Sequence, residues 1–315
     1  MMNKFNYSVA YIWNFIYQVI RKILGRNRFR RYFYYGKRIM GKYDTNRYIY
    51  DKIISGEPFL AARYGDVELR ALQYTIEKQL GWRKTYPQYI QEKMNINAGF
   101  FPAVDDYLFQ FGVLMLESGR QVNLYAVWYN MMEDYVIHYS NKKADFCRLE
   151  NLEPYRCEYP WSKALKGKKV LVVHPCSESI KKQYAIREKL FKNPNVLPDF
   201  DLITYKAVQS QASATCSYET WFEALDKMFS DIKRIDFDIA ILGCGAYGFP
   251  LAAKIKSIGK QAIHLGGATQ ILFGIKGARW EAKPEINQLF NKYWIRPSED
   301  ERPKGAEKVE GGCYW

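Results

Sequence analysis

Short apolar runs separated by amphipathic segments recur through the second half of the chain, and that alternation restricts the fold more than any other feature. Lys166-Gly167-Lys168-Lys169 opens a β-branched run at 170–174, and a Pro-Cys-Ser turn then introduces a helix over 178–191. Further strands are expected at 201–207, 237–242 and 261–265, with helices at 218–232 and 250–258 between them. In the first half, Pro58-Phe59-Leu60 leads into a strand, 67–80 and 105–118 read as helices, and 121–128 reads as a buried strand. The stretch 81–97 is polar and aromatic and has no clear period. The pattern predicts an α/β fold with a Rossmann-like, mainly parallel sheet and helices on both faces. Residues 1–45 read as a basic aromatic N-terminal helical arm, 46–296 as the Rossmann-like domain, and 297–315 as a tail rich in Pro, Gly and charge.

A chain of 315 residues with 48% hydrophobic content can bury a substantial core, which excludes a disordered protein. The six cysteines (Cys147, Cys157, Cys176, Cys216, Cys244 and Cys313) form no C-x-x-C pair, and the three histidines do not stand at zinc-ligand spacings from them. A reduced, cytoplasmic setting fits that usage. Formal net charge is +14, and much of the excess lies early: Lys4, Arg21, Lys22, Arg26, Arg28, Arg30, Arg31, Lys37, Arg38 and Lys42 all precede the first acidic residue, Asp44.

Within the arm, aromatic and aliphatic residues from Tyr7 to Ile20 run into that basic stretch, as in a helix lying on an anionic membrane surface. The run is shorter than the roughly 20 residues that span a bilayer, and Asn14 and Gln18 interrupt it. Its charge follows the apolar part, the reverse of a secretory signal. Such a helix could instead pack on the protein's own body. Nucleic acid is not an expected partner, because the basic and aromatic residues match no nucleic-acid module.

Ligands of parallel sheets bind beyond the carboxyl ends of the strands, so the turns that follow strands hold the candidate site. Arg63-Tyr64-Gly65-Asp66-Val67-Glu68 ends an apolar run in two carboxylates, Asp66 and Glu68, that could share a Mg²⁺ or Mn²⁺ with a substrate diphosphate. Their spacing serves a metal best if Asp66 lies at a strand end or in the loop after it. The same pair suits a first helical turn, where acidic side chains complement the dipole. His174-Pro175-Cys176-Ser177-Glu178-Ser179 offers an anion site or simply a helix cap. Gly243-Cys244-Gly245-Ala246-Tyr247-Gly248 fits G-x-G-x-x-G between a strand and a helix. A dinucleotide site would also want an acidic residue about 20 positions on, where the chain has His264, Leu265, Gly266 and Gly267, and this favours a mononucleotide or sugar nucleotide. In that last turn Thr269 and Gln270 supply neutral hydrogen bonds, and Lys276 and Arg279 supply positive charge. His174 and His264 are either core residues or two members of one site.

These turns, together with Ala207-Val208-Gln209-Ser210, resemble the GT-D-type glycosyltransferases, a family first catalogued as a domain of unknown function. The resemblance runs over about 50–293, with Tyr64 where Phe is usual and Val67 where Gly is usual. It implies a Rossmann-like domain in which Asp66 and Glu68 hold a divalent cation, Mn²⁺ or Mg²⁺, and the donor diphosphate. Arg63, Gly65, Ser177, Ser179, Gln209, Gly243, Gly245, Tyr247, Gly248, His264, Gly266, Gly267 and Thr269 would surround the donor, and Glu178 and His174 are candidates for the base. The implied reaction moves a hexose from a nucleotide-diphosphate sugar, a UDP-sugar foremost, to a hydroxyl of a glycan or lipid-linked glycan in surface polysaccharide or glycoprotein synthesis. The arm would then place the enzyme on the inner face of the plasma membrane. Two other classes stay open: an NAD(P)-dependent oxidoreductase or epimerase, and a noncatalytic membrane-associated binding protein.

Overall fold

The structure, a computed structural model, describes residues 3–25, 29–211, 217–309 and 311–315; Arg26, Arg28 and Cys216 lie outside the described residues. Among the described residues nine strands form one sheet: β1 (Phe33–Tyr34), β2 (Lys37–Met40), β3 (Leu60–Ala62), β4 (Leu124–Val127), β5 (Asp145–Arg148), β6 (Lys169–His174), β7 (Asp201–Lys206), β8 (Ile239–Leu242) and β9 (Gln261–His264). Their order is β1-β2-β5-β4-β3-β9-β8-β6-β7, and every pairing except β1 with β2 is parallel. The last strand, β9, therefore sits between β3 and β8.

The sheet is apolar because both faces are covered. Along β6, Leu171 and Val173 join one core and Val170 and Val172 the other; along β8, Ala240 and Leu242 are set against Ile239 and Ile241 in the same way. The first core is closed by α3 (Asp66–Gln79), α5 (Asp105–Gly119), α8 (Trp221–Ile232) and α9 (Gly248–Ser257). The second is closed by α2 (Lys42–Ser55), α7 (Ser177–Tyr184), α10 (Ala268–Leu272) and the buried Trp161, Trp280 and Trp294. Two more helices, α4 (Gln88–Ile96) and α6 (Glu133–Ser140), complete the first layer.

Expected and observed elements part in several places, among them β5, α2 and α6, which the sequence pattern does not single out. The helix expected over 178–191 ends at Tyr184, whose hydroxyl bonds the backbone of Pro198 and Phe200 and draws the chain off into the next loop. The basic segment after the first helix is a hairpin, β1–β2, that pairs through β2 with β5 and extends the sheet. Helix α4 fills part of the unassigned stretch. The tail from 297 packs down: Ala306, Val309 and Cys313 are buried, and so is Glu301. No helix among the described residues is long and apolar enough to cross a membrane.

Helix α1 (Lys4–Leu24) docks through polar residues. Tyr7 donates to Glu77 (2.9 Å), Asn14 to Asp134 (2.9 Å) and accepts from the Met132 amide (3.2 Å), and Gln18 and Arg21 both donate to the Tyr129 carbonyl (2.7 and 2.6 Å).

Where α3 crosses α5, Gly112 has no room for a side chain: a Cβ would stand 1.8 Å from Thr75 Oγ1. Helix propensity alone predicts that Gly112→Ala stabilises the protein by about 1 kcal/mol, whereas overpacking predicts a loss of about 1–3 kcal/mol. A loss is expected in urea unfolding. A gain would contradict this packing.

Candidate functional site

Strand register brings the candidate turns to one level. Ala61 of β3 pairs with Ile263 of β9, Ile263 with Ile241 of β8, and Ile241 with Val172 of β6. Two residues further, Arg63, Leu265, Gly243 and His174 stand side by side at the carboxyl edge, where side chains two apart share a face. All four line a cavity of about 910 Å³, together with Gly65, Asp66, Glu68, Gln209, Gly245, Gly266, Gly267 and Gln270.

The approach of these turns depends on missing side chains. A Cβ on Gly243 would lie 2.6–2.8 Å from Thr269 Oγ1, the Gly266 carbonyl and the His174 ring. On Gly266, which has a positive φ, it would lie 1.9 Å from the Arg63 guanidinium. On Gly65 it would lie 1.9 Å from the Glu68 carboxylate, so glycine there is what lets Glu68 fold back over the start of α3.

Asp66 and Glu68 occupy the first turn of α3, not a strand end. The expected shared strand face is therefore replaced by a helix N-terminus, because only three residues, Arg63 to Gly65, separate β3 from α3. Both still face the cavity, and Asp66 also pairs with Arg70 at 3.1 Å. Among the described residues no group of three or more His, Cys, Asp and Glu side chains is set to hold a metal. Both carboxylates line the cavity, and Mg²⁺ or Mn²⁺ at a diphosphate needs only one or two of them, because phosphate and water supply the remaining oxygens.

The other positions divide. His174 is buried and accepts from the Cys176 amide through Nδ1 (2.9 Å), so its neutral ring carries its proton on Nε2 and is a donor, not a base. Burial lowers its pKa to about 4, against the charge of Glu301. The N-terminus of α7 already holds an anion: Glu301 accepts from the Glu178 and Ser179 amides (2.8 and 3.2 Å) and from the Ser179 hydroxyl. Burial raises the Glu301 pKa, yet the Ser179 and Ser298 donors outweigh it and hold the group ionised. Glu178 is exposed and pairs with Lys181 (2.8 Å), away from the cavity lining, as is the buried Ser177. Tyr247 stacks on Trp221, and Gly248 gives His264 its place, a Cβ there falling 2.6 Å from Nε2. His264 and Thr269 are buried beneath the lining, and His264 Nδ1 and Thr269 Oγ1 have no hydrogen-bond partner among the described residues. Of the two cations expected near the last turn, Arg279 reaches the cavity, whereas Lys276 lies over Phe290.

Sequence reasoning missed several lining residues. Trp128 and Asn130 come from the loop after β4, where Tyr129 and Met132 hold positive φ. The buried Glu133 carboxylate fixes that loop by accepting from the Trp128, Tyr129 and Asn130 amides (3.1, 2.7 and 3.3 Å). The Arg63 guanidinium lies 5.8 Å from the Trp128 ring centre. Tyr314 and Trp315 close the far side: Tyr314 accepts from Arg279 (2.7 Å), and its carbonyl accepts from Gln270 (3.1 Å). Lys283, its pKa lowered by burial, adds a further cation there.

No protein-family model matches the chain, and no curated protein does. Two solved structures do. One is a selenomethionine-substituted structure of domain of unknown function 1792, 13% identical, with 72% of this chain and 83% of that chain covered and a TM-score of 0.38. The other is a structure of the same domain, described as having a distinct glycosyltransferase fold, 13% identical, with 72% and 82% covered and a TM-score of 0.32. An overlap this loose fixes neither the register nor the site.

The depressed His174 pKa has a consequence for stability. The unfolded ring, with its ordinary pKa near 6.5, takes up a proton before the folded ring does, so stability falls as pH drops from about 6.5 to about 4. Between about pH 7 and about pH 5, His174→Asn should lose about 2 kcal/mol less stability than the wild type in urea unfolding. Equal losses would show that the ring is not held neutral.

Proposed function

We propose that the protein is a divalent-metal-dependent glycosyltransferase that takes a hexose from a nucleotide-diphosphate sugar, with UDP-sugars the first choice. The observation that supports this best is a juxtaposition: Asp66 and Glu68 share one cavity with Arg63 and with the glycine turns at Gly243 and Gly266. A leaving diphosphate needs opposite charge, close backbone donors and shelter from water. Asp66 and Glu68 would hold the cation, which when bound supplies Lewis-acid charge to the diphosphate.

The chain's own residues do the rest. Gly243, Gly245 and Gly266 leave backbone accessible to phosphate oxygens at the edge of the sheet. Arg63 brings a fixed guanidinium, held between Gly266 and Trp128, and His174 brings a neutral donor. Arg279 and Lys283 lie beyond them, where Gln270 and Trp280 offer a polar and an aromatic surface to a base or sugar. Trp128, Tyr314 and Trp315 add aromatic surface to the cavity lining. The acceptor is a hydroxyl of a glycan or glycoconjugate of surface polysaccharide or glycoprotein synthesis. Buried Cys147, Cys157, Cys176, Cys244 and Cys313, which form no disulfide, agree with a reducing, cytoplasmic compartment.

Calorimetry and slow hydrolysis with UDP-, GDP-, CMP- and dTDP-sugars, with and without Mn²⁺, test the proposal. One donor should bind only with metal, and Asp66→Asn and Glu68→Gln should each weaken it at least about tenfold, the lower end of what losing even an outer metal partner does. If no donor binds, if both variants match the wild type, or if NAD(P) binds tightly without metal, the proposal is wrong.

A further inference from the structure

Helix α1 is turned inside out. The side it buries carries Tyr7, Asn14, Tyr17 and Arg21, and all but Tyr17 among these hydrogen-bond the body through their side chains. The opposite side carries Phe5, Ile12, Ile16 and Ile23, spaced as one helical stripe and exposed at 74, 57, 42 and 75%. Trp13, at 65% exposure, stands beside the stripe. A helix of a water-soluble surface normally does the reverse, so this face calls for a partner.

Charge and ring placement identify the partner's chemistry. The helix contains no Asp or Glu, and exposed Lys4 and Lys22 stand near its two ends. Beside the amino-terminal half lies an aromatic groove of about 520 Å³, formed by Phe5 and Val9 with Tyr35, Tyr135 and His138, and Lys142 stands at it. Tyr32 and Phe33, close in sequence to Tyr35, are also exposed. An apolar stripe along a 21-residue helix about 30 Å long, with aromatic rings and a cationic margin, is complementary to a lipid headgroup layer bearing negative charge.

The position of α1 matters as much as its face. Tyr11, Gln18 and Arg21, on its flank, line the large cavity, and Gln18 and Arg21 hold the Tyr129 carbonyl of the loop that carries Trp128 and Asn130. The stripe runs along the other side of the same helix, so whatever it rests on lies about one helix diameter, roughly 10–12 Å, from residues that line the cavity. We propose that α1 seats the protein on an anionic bilayer surface and sets the cavity mouth against it, so that the acceptor is lipid-linked. Docking stands on α1 alone; the acceptor assignment rests on the glycosyltransferase reading.

The test uses the full chain and a variant with Phe5→Ser, Ile12→Ser, Ile16→Ser and Ile23→Ser, all on the exposed stripe. It measures co-sedimentation with phosphatidylcholine vesicles with and without phosphatidylglycerol, together with metal-dependent donor binding in solution. The wild type should bind the anionic vesicles, less well at high salt, and the variant should bind at least about tenfold less while keeping its donor affinity. Docking is overturned if the wild type ignores vesicles, if the variant binds as well, or if the stripe proves to join two copies that the variant separates. Vesicle binding without any donor binding would overturn the glycosyltransferase reading and leave docking standing. With docking intact, transfer to a free glycan as fast as to a lipid-linked one would overturn the acceptor assignment.

Discussion

Everything at the site depends on how closely the carboxyl ends of β3, β6, β8 and β9 approach one another. Gly243 and Gly266 leave no Cβ between these ends, and the Arg63 guanidinium and the His174 ring fill the space that side chains there would take. Parallel pairing sets those ends at one height, and apolar side chains on both faces of β6 and β8 hold the strands in register. The glycine-rich pattern after β8 thus acts first as a packing device. Its binding value follows, since a backbone stripped of side chains to let strands converge is also open to a ligand.

Much of this was legible because buried parallel strands have a plain signature. Val170-Leu171-Val172-Val173 and Ile239-Ala240-Ile241-Leu242 are apolar throughout, and the turns behind them were located to within a few residues. Short strands with charged ends lack that signature: Lys37-Arg38-Ile39-Met40 and Asp145-Phe146-Cys147-Arg148 are paired on both sides yet carry their charges at positions that are not fully buried, and neither reads as a strand from local pattern. Which side chains of a turn face the cavity was also beyond local pattern. His264, Thr269 and Tyr247 are buried beneath the lining, whereas Trp128, Tyr314 and Trp315 reach it from segments with no motif.

Two polar contacts illustrate information that only tertiary structure carries. The composition of the tail suggests a linker, yet Glu301 folds onto the start of α7 and fills the anion site that the Ser177 to Ser179 turn advertises. In α1 the apolar period was plain, but a period does not say which side meets the body. Asn14 and Arg21 decide it, because their partners, Asp134 and the Tyr129 carbonyl, lie on the protein. The same bonds tie α1 to a cavity loop, which links the outer surface of the helix to the geometry of the site.

A crystal structure with Mn²⁺ and UDP would show directly whether Asp66 and Glu68 form a metal site. Metal density is expected on Asp66 and Glu68, with the diphosphate between them and the turns at Gly243 and Gly266. A nucleotide bound elsewhere, or a metal that ignores both carboxylates, would contradict that placement.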